Sequence, residues 1–212
     1  MIEVTYIDHM GSDLSVVNAA RVSFGKTHKA MTEGDTKLIN YLAKHKHMSP
    51  FGHAFASFHV KAPIFVARQL VKHKFLRWNE ISRRYVDDTP EFYEPDAWRG
   101  RSDDKKQGSS DTEAMFMENG QVISSVAISH KLSSLKLYQN MIHAGICPEQ
   151  ARMILPQNTM TEWYWSGSLD AFIDMCNLRC KPDTQYETRL VADYIRSEMI
   201  KLFPISVEAL VK

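Results

Sequence analysis

The sequence has few cysteines and no long apolar run. It contains three cysteines, an odd number, and none stands in a Cys-x-x-Cys pair. Disulfide frameworks and structural zinc sites need paired cysteines, so both are disfavoured and a reducing compartment fits best. No segment approaches the roughly 18 continuous apolar residues of a membrane span, and the N-terminus is acidic where a signal peptide is basic. We therefore expect a soluble, unprocessed protein without a membrane partner, in the cytoplasm, or in the host cytoplasm if the chain is viral.

Charge is balanced over the chain but concentrated in one segment. Lysine and arginine number 26 against 25 aspartates and glutamates, so no overall charge draws the protein to nucleic acid. The segment KHKFLRWNEISRRY, residues 72–85, nevertheless holds five lysines and arginines. A solvated helix end would account for them, because cations favour a helix C-terminus. They repel one another unless an anion binds among them, however, and Phe75 and Trp78 offer stacking surfaces, so the segment also predicts a nucleotide or phosphorylated cofactor.

Other common catalytic arrangements are missing from the sequence. Five histidines, at positions 45, 47, 53, 59 and 73, fall within 29 residues, but no pair has the helical HExxH spacing of a zinc site. We therefore expect no metal. Neither a Ser-His-Asp set nor a glycine-rich phosphate loop is evident, and the cysteines are more simply interpreted as helix-packing residues than as nucleophiles.

Periodicity predicts one globular unit of mixed helices and strands. Apolar and polar residues alternate over 2–6 and 54–62, which predicts two strands, the second of them central. Residues 159–167, TMTEWYWSG, resemble a third strand that ends at a glycine. Residues 87–113 are rich in Pro, Gly, Ser and charge, which predicts a long surface loop. The mixture indicates an α+β or α/β fold. Helices are predicted from apolar spacing and from Pro and Gly punctuation at 16–22, 36–45, 63–75, 115–144, 148–155, 168–179 and 183–203.

One long segment resembles the signature of the flavin-dependent thymidylate synthases. That signature reads Arg-His-Arg, seven residues, then Ser, within a pattern that continues Asn-Glu-x-Ser-x-Arg-Tyr. Here Lys72-His73-Lys74 is followed after seven residues by Ser82, with Asn79-Glu80 and Arg84-Tyr85 in register. The resemblance extends over most of the chain, through AARVSF at 19–24, HMSPFGH at 47–53, ARMILP at 151–156 and NLR at 177–179.

The resemblance implies a reaction, its cofactors and an assembly. Such enzymes convert dUMP to dTMP with methylenetetrahydrofolate as carbon donor. NADPH reduces FAD, and the reduced flavin supplies the hydride without a cysteine nucleophile. The implied fold is an α/β unit with a sheet flanked by helices, forming one domain over residues 1–212. The implied assembly is a homotetramer whose active sites are shared between subunits, with no nucleic-acid partner.

The resemblance also implies roles for individual residues. Arg179 matches an arginine at the pyrimidine and is a catalytic candidate, because a fixed guanidinium stabilises negative charge that develops on the ring. Ser82 is a second catalytic candidate with a positioning role, since an unassisted serine is a poor nucleophile. The residues implied for dUMP are Gln69, Lys72, Glu80, Ser82, Arg84, Arg152 and Arg179. Those implied for FAD are Ser23, Ser49, Lys72, His73, Lys74, Glu80, Ser168 and Asp174, and Asn177 and Gln185 are weaker site candidates.

Several positions depart from the family pattern and keep alternatives open. Both arginines of the hallmark triplet are lysines, which keeps charge but loses the planar fork. Gly52 stands where many relatives have Glu, and Ser168, Asp170 and Asp174 replace usual flavin-contacting residues. A hydroxymethylase that adds water instead of hydride is therefore one alternative. The others are a single-strand nucleic-acid-binding module and an oligomerisation domain.

Overall fold

The protein is built around a four-stranded antiparallel sheet. The computed structural model describes residues 1–103 and 108–211, apart from the side chain of residue 111, so part of the predicted 87–113 loop lies outside the described residues. The strands are β1 (Glu3–Met10), β2 (Phe55–Pro63), β3 (Leu76–Glu80) and, later in the chain, β6 (Met160–Ser168). Their order is β1-β2-β6-β3, and every neighbouring pair is antiparallel. Of the two expected fold classes, the α+β arrangement is the one observed.

Helices and a small hairpin make up the remaining regular structure. A second, two-stranded sheet pairs β4 (Arg99–Arg101) with β5 (Ser109–Glu113). Short 3₁₀ turns cover 22–24, 49–53 and 152–154. The described residues contain no helix long and apolar enough to cross a membrane. The helices are α1 (Asp13–Arg21), α2 (Glu33–Lys44), α3 (Ile64–Leu70), α4 (Ile123–His143), α5 (Pro148–Ala151), α6 (Leu169–Arg179), α7 (Tyr186–Leu202) and α8 (Pro204–Leu210).

One face of the sheet forms the core. The predicted alternation in β2 is confirmed: Phe58 and Val60 are fully buried, whereas His59 between them is only partly buried. Phe172 of α6 packs edge-on against Phe58, with ring centroids 5.3 Å apart. On the opposite face Tyr164 remains half exposed. Period-two burial of this kind is typical of an antiparallel sheet with a single packed face.

The prediction that residues 63–75 form one helix is wrong at its C-terminal end. Helix α3 stops at Leu70, the chain reverses through a left-handed Phe75 (φ 63°), and β3 follows. Strand β3 pairs with β6, and the indole of Trp78 stacks on that of Trp163 at 4.2 Å between centroids. The stacked residues Trp78 and Trp163 are 85 positions apart in the sequence, so local periodicity does not reveal this pairing.

Two further expectations need correction. The predicted loop at 87–113 contains the β4–β5 hairpin, and its residues 91–93 are fixed to 158–160 by backbone hydrogen bonds such as Tyr93 N to Asn158 O. The helix predicted at 115–144 starts only at Ile123. Pro204 ends the preceding helix as predicted, but it also opens α8, because proline fits the first turn of a new helix.

Candidate active site

A cleft lies where the ends of α3 and α6 meet the start of α7. Its volume is about 630 Å³. Gln69 lies near the end of α3, Arg179 is the last residue of α6, and Gln185 precedes α7. Lys72 lines the same cleft. The structure thus brings together three residues implied for dUMP, Gln69, Lys72 and Arg179, which we call the cleft residues, together with the weaker candidate Gln185.

Arg179 is held at two points. Its Nε donates to Nε2 of His73 at 3.0 Å, and its Nη2 donates to the backbone oxygen of Gln69 at 3.0 Å. Burial, reinforced by the Arg179 charge, lowers the pKa of His73 from 6.5 to about 4. His73 is therefore neutral at pH 7 and can accept the guanidinium N–H. The side chain is fixed at Nε and Nη2, and within the described residues no hydrogen bond occupies the two N–H donors of Nη1.

The amides of the cleft are also linked to each other. Nε2 of Gln69 donates to Oε1 of Gln185, which joins the end of α3 to the start of α7. Asn177, the other weaker candidate, points elsewhere: its Nδ2 donates to the backbone oxygen of Leu210 in α8. Within the described residues Asn177 is not part of the cleft lining.

Two arginines that are also implied for dUMP, and whose charge suits its 5′-phosphate, lie in a separate group. Arg84 forms an ion pair from Nε to Oε2 of Glu149 at 2.9 Å, and Nε of Arg152 donates to the backbone oxygen of Glu149 at 3.4 Å. We call Arg84, Glu149 and Arg152 the Glu149 cluster. Ser82 lies beside it and accepts from the backbone N–H of Arg84 at 3.3 Å. Of the described residues that line the cleft, none belongs to this cluster.

Glu80 ends strand β3 and is bonded on both carboxylate oxygens. Oγ1 of Thr161 donates to Oε1 at 2.6 Å, and Nε1 of Trp78 donates to Oε2 at 3.0 Å. The glutamate itself is exposed. Its orientation is therefore set by its own chain before any ligand binds.

The residues implied for flavin lie on four segments. Lys74 is exposed and directly follows the partly buried His73. Ser23 is exposed in the 22–24 turn. Ser49 opens the 49–53 turn, and the backbone bond from Leu169 N to Ala54 O brings that turn to the start of α6. The remaining two are Ser168, buried at the N-terminus of α6, and Asp174, exposed on the same helix.

A buried carboxylate anchors the turn that carries Ser23. Asp35 accepts from Nη2 of Arg21 at 2.7 Å and lies 2.8 Å from Nδ1 of His28. Burial alone raises the pKa of Asp35, but the hydrogen bonds from His28, Thr32 and Arg21 outweigh it and hold that pKa well below its usual range. The ionised Asp35 therefore fixes the chain on both sides of Ser23.

Sequence reasoning missed several residues at these sites. Arg99 lines the cleft and pairs with the buried Glu187 at 2.8 Å, and both also line an adjoining cavity of about 520 Å³. Glu149 as the partner of Arg84 was also missed. Trp78 and Glu80 are two residues apart, a spacing that places them on one face of a strand. Recognition of β3 would therefore have revealed their contact.

Comparisons with known proteins identify the family. Residues 5–205 match the family described as thymidylate synthase complementing protein. The flavin-dependent thymidylate synthase of Thermus thermophilus is 40% identical over 200 residues, which cover 93% of this chain and 71% of the relative. That of Thermotoga neapolitana is 38% identical over 212 residues, covering 99% and 90%. The crystal structure of the UMP/dUMP methylase PolB from Streptomyces cacaoi, bound with 5-Br dUMP, superposes with a TM-score of 0.86 at 32% identity, covering 99% of this chain and 94% of PolB. The resemblance in sequence is thereby confirmed, and the chain belongs to the thymidylate synthase complementing protein family, as a flavin-dependent methyltransferase enzyme.

Proposed function

We propose that the enzyme converts dUMP to dTMP, with methylenetetrahydrofolate as carbon donor, FAD as the bound flavin and NADPH as its reductant. Membership of the family and the likeness to PolB, a UMP/dUMP methylase, support dUMP methylation. The observation that carries the proposal is the fixed guanidinium of Arg179 in the cleft with Gln69 and Lys72. A pyrimidine needs such a donor when negative charge develops on its ring.

In this proposal the side chains of Arg179 and Gln69 act on the uracil base. As C5 of the uracil becomes nucleophilic, negative charge develops at O2 and N3, and a preorganised guanidinium stabilises it without reorganising. Because His73 is neutral, it holds Arg179 without adding a competing cation. The Gln69 side chain carries both a donor and an acceptor, which suits the edge of a pyrimidine. Ser82 then has a positioning role at the nucleotide.

The cysteines favour a route without a thiol nucleophile. The pKa of Cys176 is raised by a hydrogen bond with Cys180 and by burial, so its thiol stays protonated. Cys147 is exposed, and the described residues that line the cleft include no cysteine. Activation of the base therefore depends on Arg179 in this proposal.

The residues present fit a flavin nucleotide. No carboxylate within the described ranges 1–103 and 108–211 pairs with Lys72, Lys74 or Arg77, so these cations are available for the pyrophosphate. When bound, the reduced flavin supplies the hydride. The residues that would hold it are Ser23, Ser49, Lys72, His73, Lys74, Glu80, Ser168 and Asp174.

We also propose that active sites are shared in a homotetramer of single-domain subunits. Of the described residues that line the cleft, none belongs to the Glu149 cluster, and in this proposal a second copy supplies the missing half of each site. Helix α4 supports association as well. Of its 21 residues only Tyr138 is buried, and Ile128, Leu132 and Leu137 are exposed. A long helix with so little burial is typical of a subunit interface.

The decisive test is the product formed from dUMP, methylenetetrahydrofolate and NADPH. We expect a yellow protein and a product heavier than dUMP by one methyl substituent. A hydroxymethyl substituent would instead identify the hydroxymethylase alternative. A colourless protein that takes up no FAD and binds single strands with a steep salt dependence would overturn both enzyme proposals.

A further inference from the structure

The two groups that hold the Glu80 carboxylate are themselves rigid. Trp78 is stacked on Trp163 with an interplanar angle of 18°, and Trp163 is 1% exposed. Thr161 lies on the central strand β6 and is 8% exposed. Trp163 is also the ladder partner of Glu80 in the β3–β6 pairing. A stacked and hydrogen-bonded frame, of which Trp163 and Thr161 are buried, therefore supports an exposed carboxylate.

The hydrogen bonds to Glu80 lower the entropy cost of binding a ligand to its carboxylate. A free glutamate side chain samples many rotamers, and fixing them on binding costs affinity. Here the Thr161 hydroxyl and the Trp78 indole have already selected one orientation. Each carboxylate oxygen still has a second acceptor position, because an oxygen can accept two hydrogen bonds.

We propose that Trp78 and Thr161 are positioning residues that preorganise Glu80 to accept a hydrogen bond from a hydroxyl or N–H of dUMP. The inference rests on the proposed function, because it takes dUMP as the ligand. A carboxylate repels the 5′-phosphate, so its partner is a neutral donor on the sugar or the base. The 5′-phosphate then binds Arg84 and Arg152.

The test is the dissociation constant of dUMP, measured by titration calorimetry on the flavin-loaded enzyme. Thr161→Val removes the hydroxyl and keeps the shape, and Trp78→Phe removes the N–H and keeps an aromatic ring. We expect each to weaken dUMP binding about tenfold, as for loss of a hydrogen bond to a charged group. Glu80→Gln should weaken it at least as much.

Combining the changes separates positioning from general damage. If Thr161 acts through Glu80, adding Thr161→Val to Glu80→Gln should have almost no further effect on the dissociation constant. Additive losses in the double variant would overturn the inference, as would normal dUMP binding by Thr161→Val and Trp78→Phe. Turnover to dTMP is measured separately, so failure of the proposed reaction is distinguishable from failure of this inference.

The chain offers a matched control for Thr161→Val. Thr159→Val removes a hydroxyl that donates to Pro156 O at 2.6 Å and not to Glu80. This control should keep wild-type dUMP affinity at temperatures where it is folded. A loss in Thr159→Val equal to that in Thr161→Val would contradict the proposed role of Thr161.

Discussion

Arg179 in the cleft and Arg84 in the Glu149 cluster carry the same positive charge in opposite surroundings. Arg179 in the cleft is partly buried and fixed to His73 and Gln69 within its own chain. In the cluster, the side chains of Arg84 and Glu149 are 50% and 54% exposed and pair with each other. The Arg179 side chain is already fixed in one geometry, whereas Arg84 forms a weak surface ion pair and lies over the ring of Tyr85, 5.8 Å from its centroid.

This difference indicates that the two arginines have different roles. A group that stabilises charge on a reacting ring has to be preorganised, which requires burial and fixed partners. A group that binds a phosphate can exchange one anion for another when the ligand arrives. We therefore interpret Glu149 as occupying the place of the phosphate until a nucleotide and a second subunit complete the site.

The largest effect should come from the fixed arginine. Arg179→Ala should lower the rate of dTMP formation by about a thousandfold, as for loss of a preorganised donor. Bound flavin, measured by absorbance, should be retained. Lys181→Ala is the control, because it removes another cation from the cleft lining. A near-normal rate for Arg179→Ala would remove the contrast between the two arginines.

Mixed oligomers test whether the two groups belong to different subunits. Arg179→Ala and Arg84→Ala proteins should each be nearly inactive alone. Co-expressed with different tags and purified as mixed oligomers, they should recover about a quarter of the wild-type sites, because random mixing joins an intact Arg179 to an intact Arg84 in about one shared site in four. If each chain builds a complete site, the mixture stays inactive.

The pH dependence of stability should reveal the buried partner of Arg179. The pKa of His73 is lowered to about 4 in the folded protein, so the unfolded chain binds the proton more readily. The contribution of neutral His73 to the free energy of unfolding is fully present above pH 6.5 and is lost as the pH falls towards 4. Urea unfolding across that window should show a steeper loss for the wild type than for His73→Gln. Parallel curves would indicate that His73 is not desolvated.

The smallest effect should come from the surface pair. Glu149→Gln frees Arg84, and we expect dUMP to bind about two- to fivefold more tightly, because exposed ion pairs contribute only about 0.2–1 kcal/mol. Glu198→Gln, which breaks the pair with Lys201, is the matched control. Weaker binding by Glu149→Gln would show that Glu149 orients Arg84 rather than competing for it.

Strands β1, β2 and β6 could be predicted from sequence because their pattern is local. Alternating burial in β2 needs only neighbouring residues to be recognised. Strand β3 could not be found in that way, because it depends on a stack between Trp78 and Trp163 and on pairing with β6. From sequence alone, the residues just before it were predicted to prolong helix α3 to residue 75.

The candidate site was predictable as a set of residues but not as an arrangement. The matched motifs point to Arg179, His73 and Arg84, yet the bond between Arg179 and His73 joins positions 106 residues apart. Glu149 lies outside the quoted motifs, so nothing in the sequence relates it to Arg84. The Arg179–His73 contact depends on the approach of the ends of α3 and α6, where Nη2 of Arg179 donates to the backbone oxygen of Gln69.

The stacked pair of Trp78 and Trp163 gives the protein a built-in optical reporter. Two parallel indoles 4.2 Å apart couple their electronic transitions, and one of them donates to the carboxylate that we assign to the nucleotide. A ligand that shifts Glu80 should therefore alter tryptophan emission and near-ultraviolet circular dichroism. Nucleotide binding can be followed in this way without a label or a turnover assay.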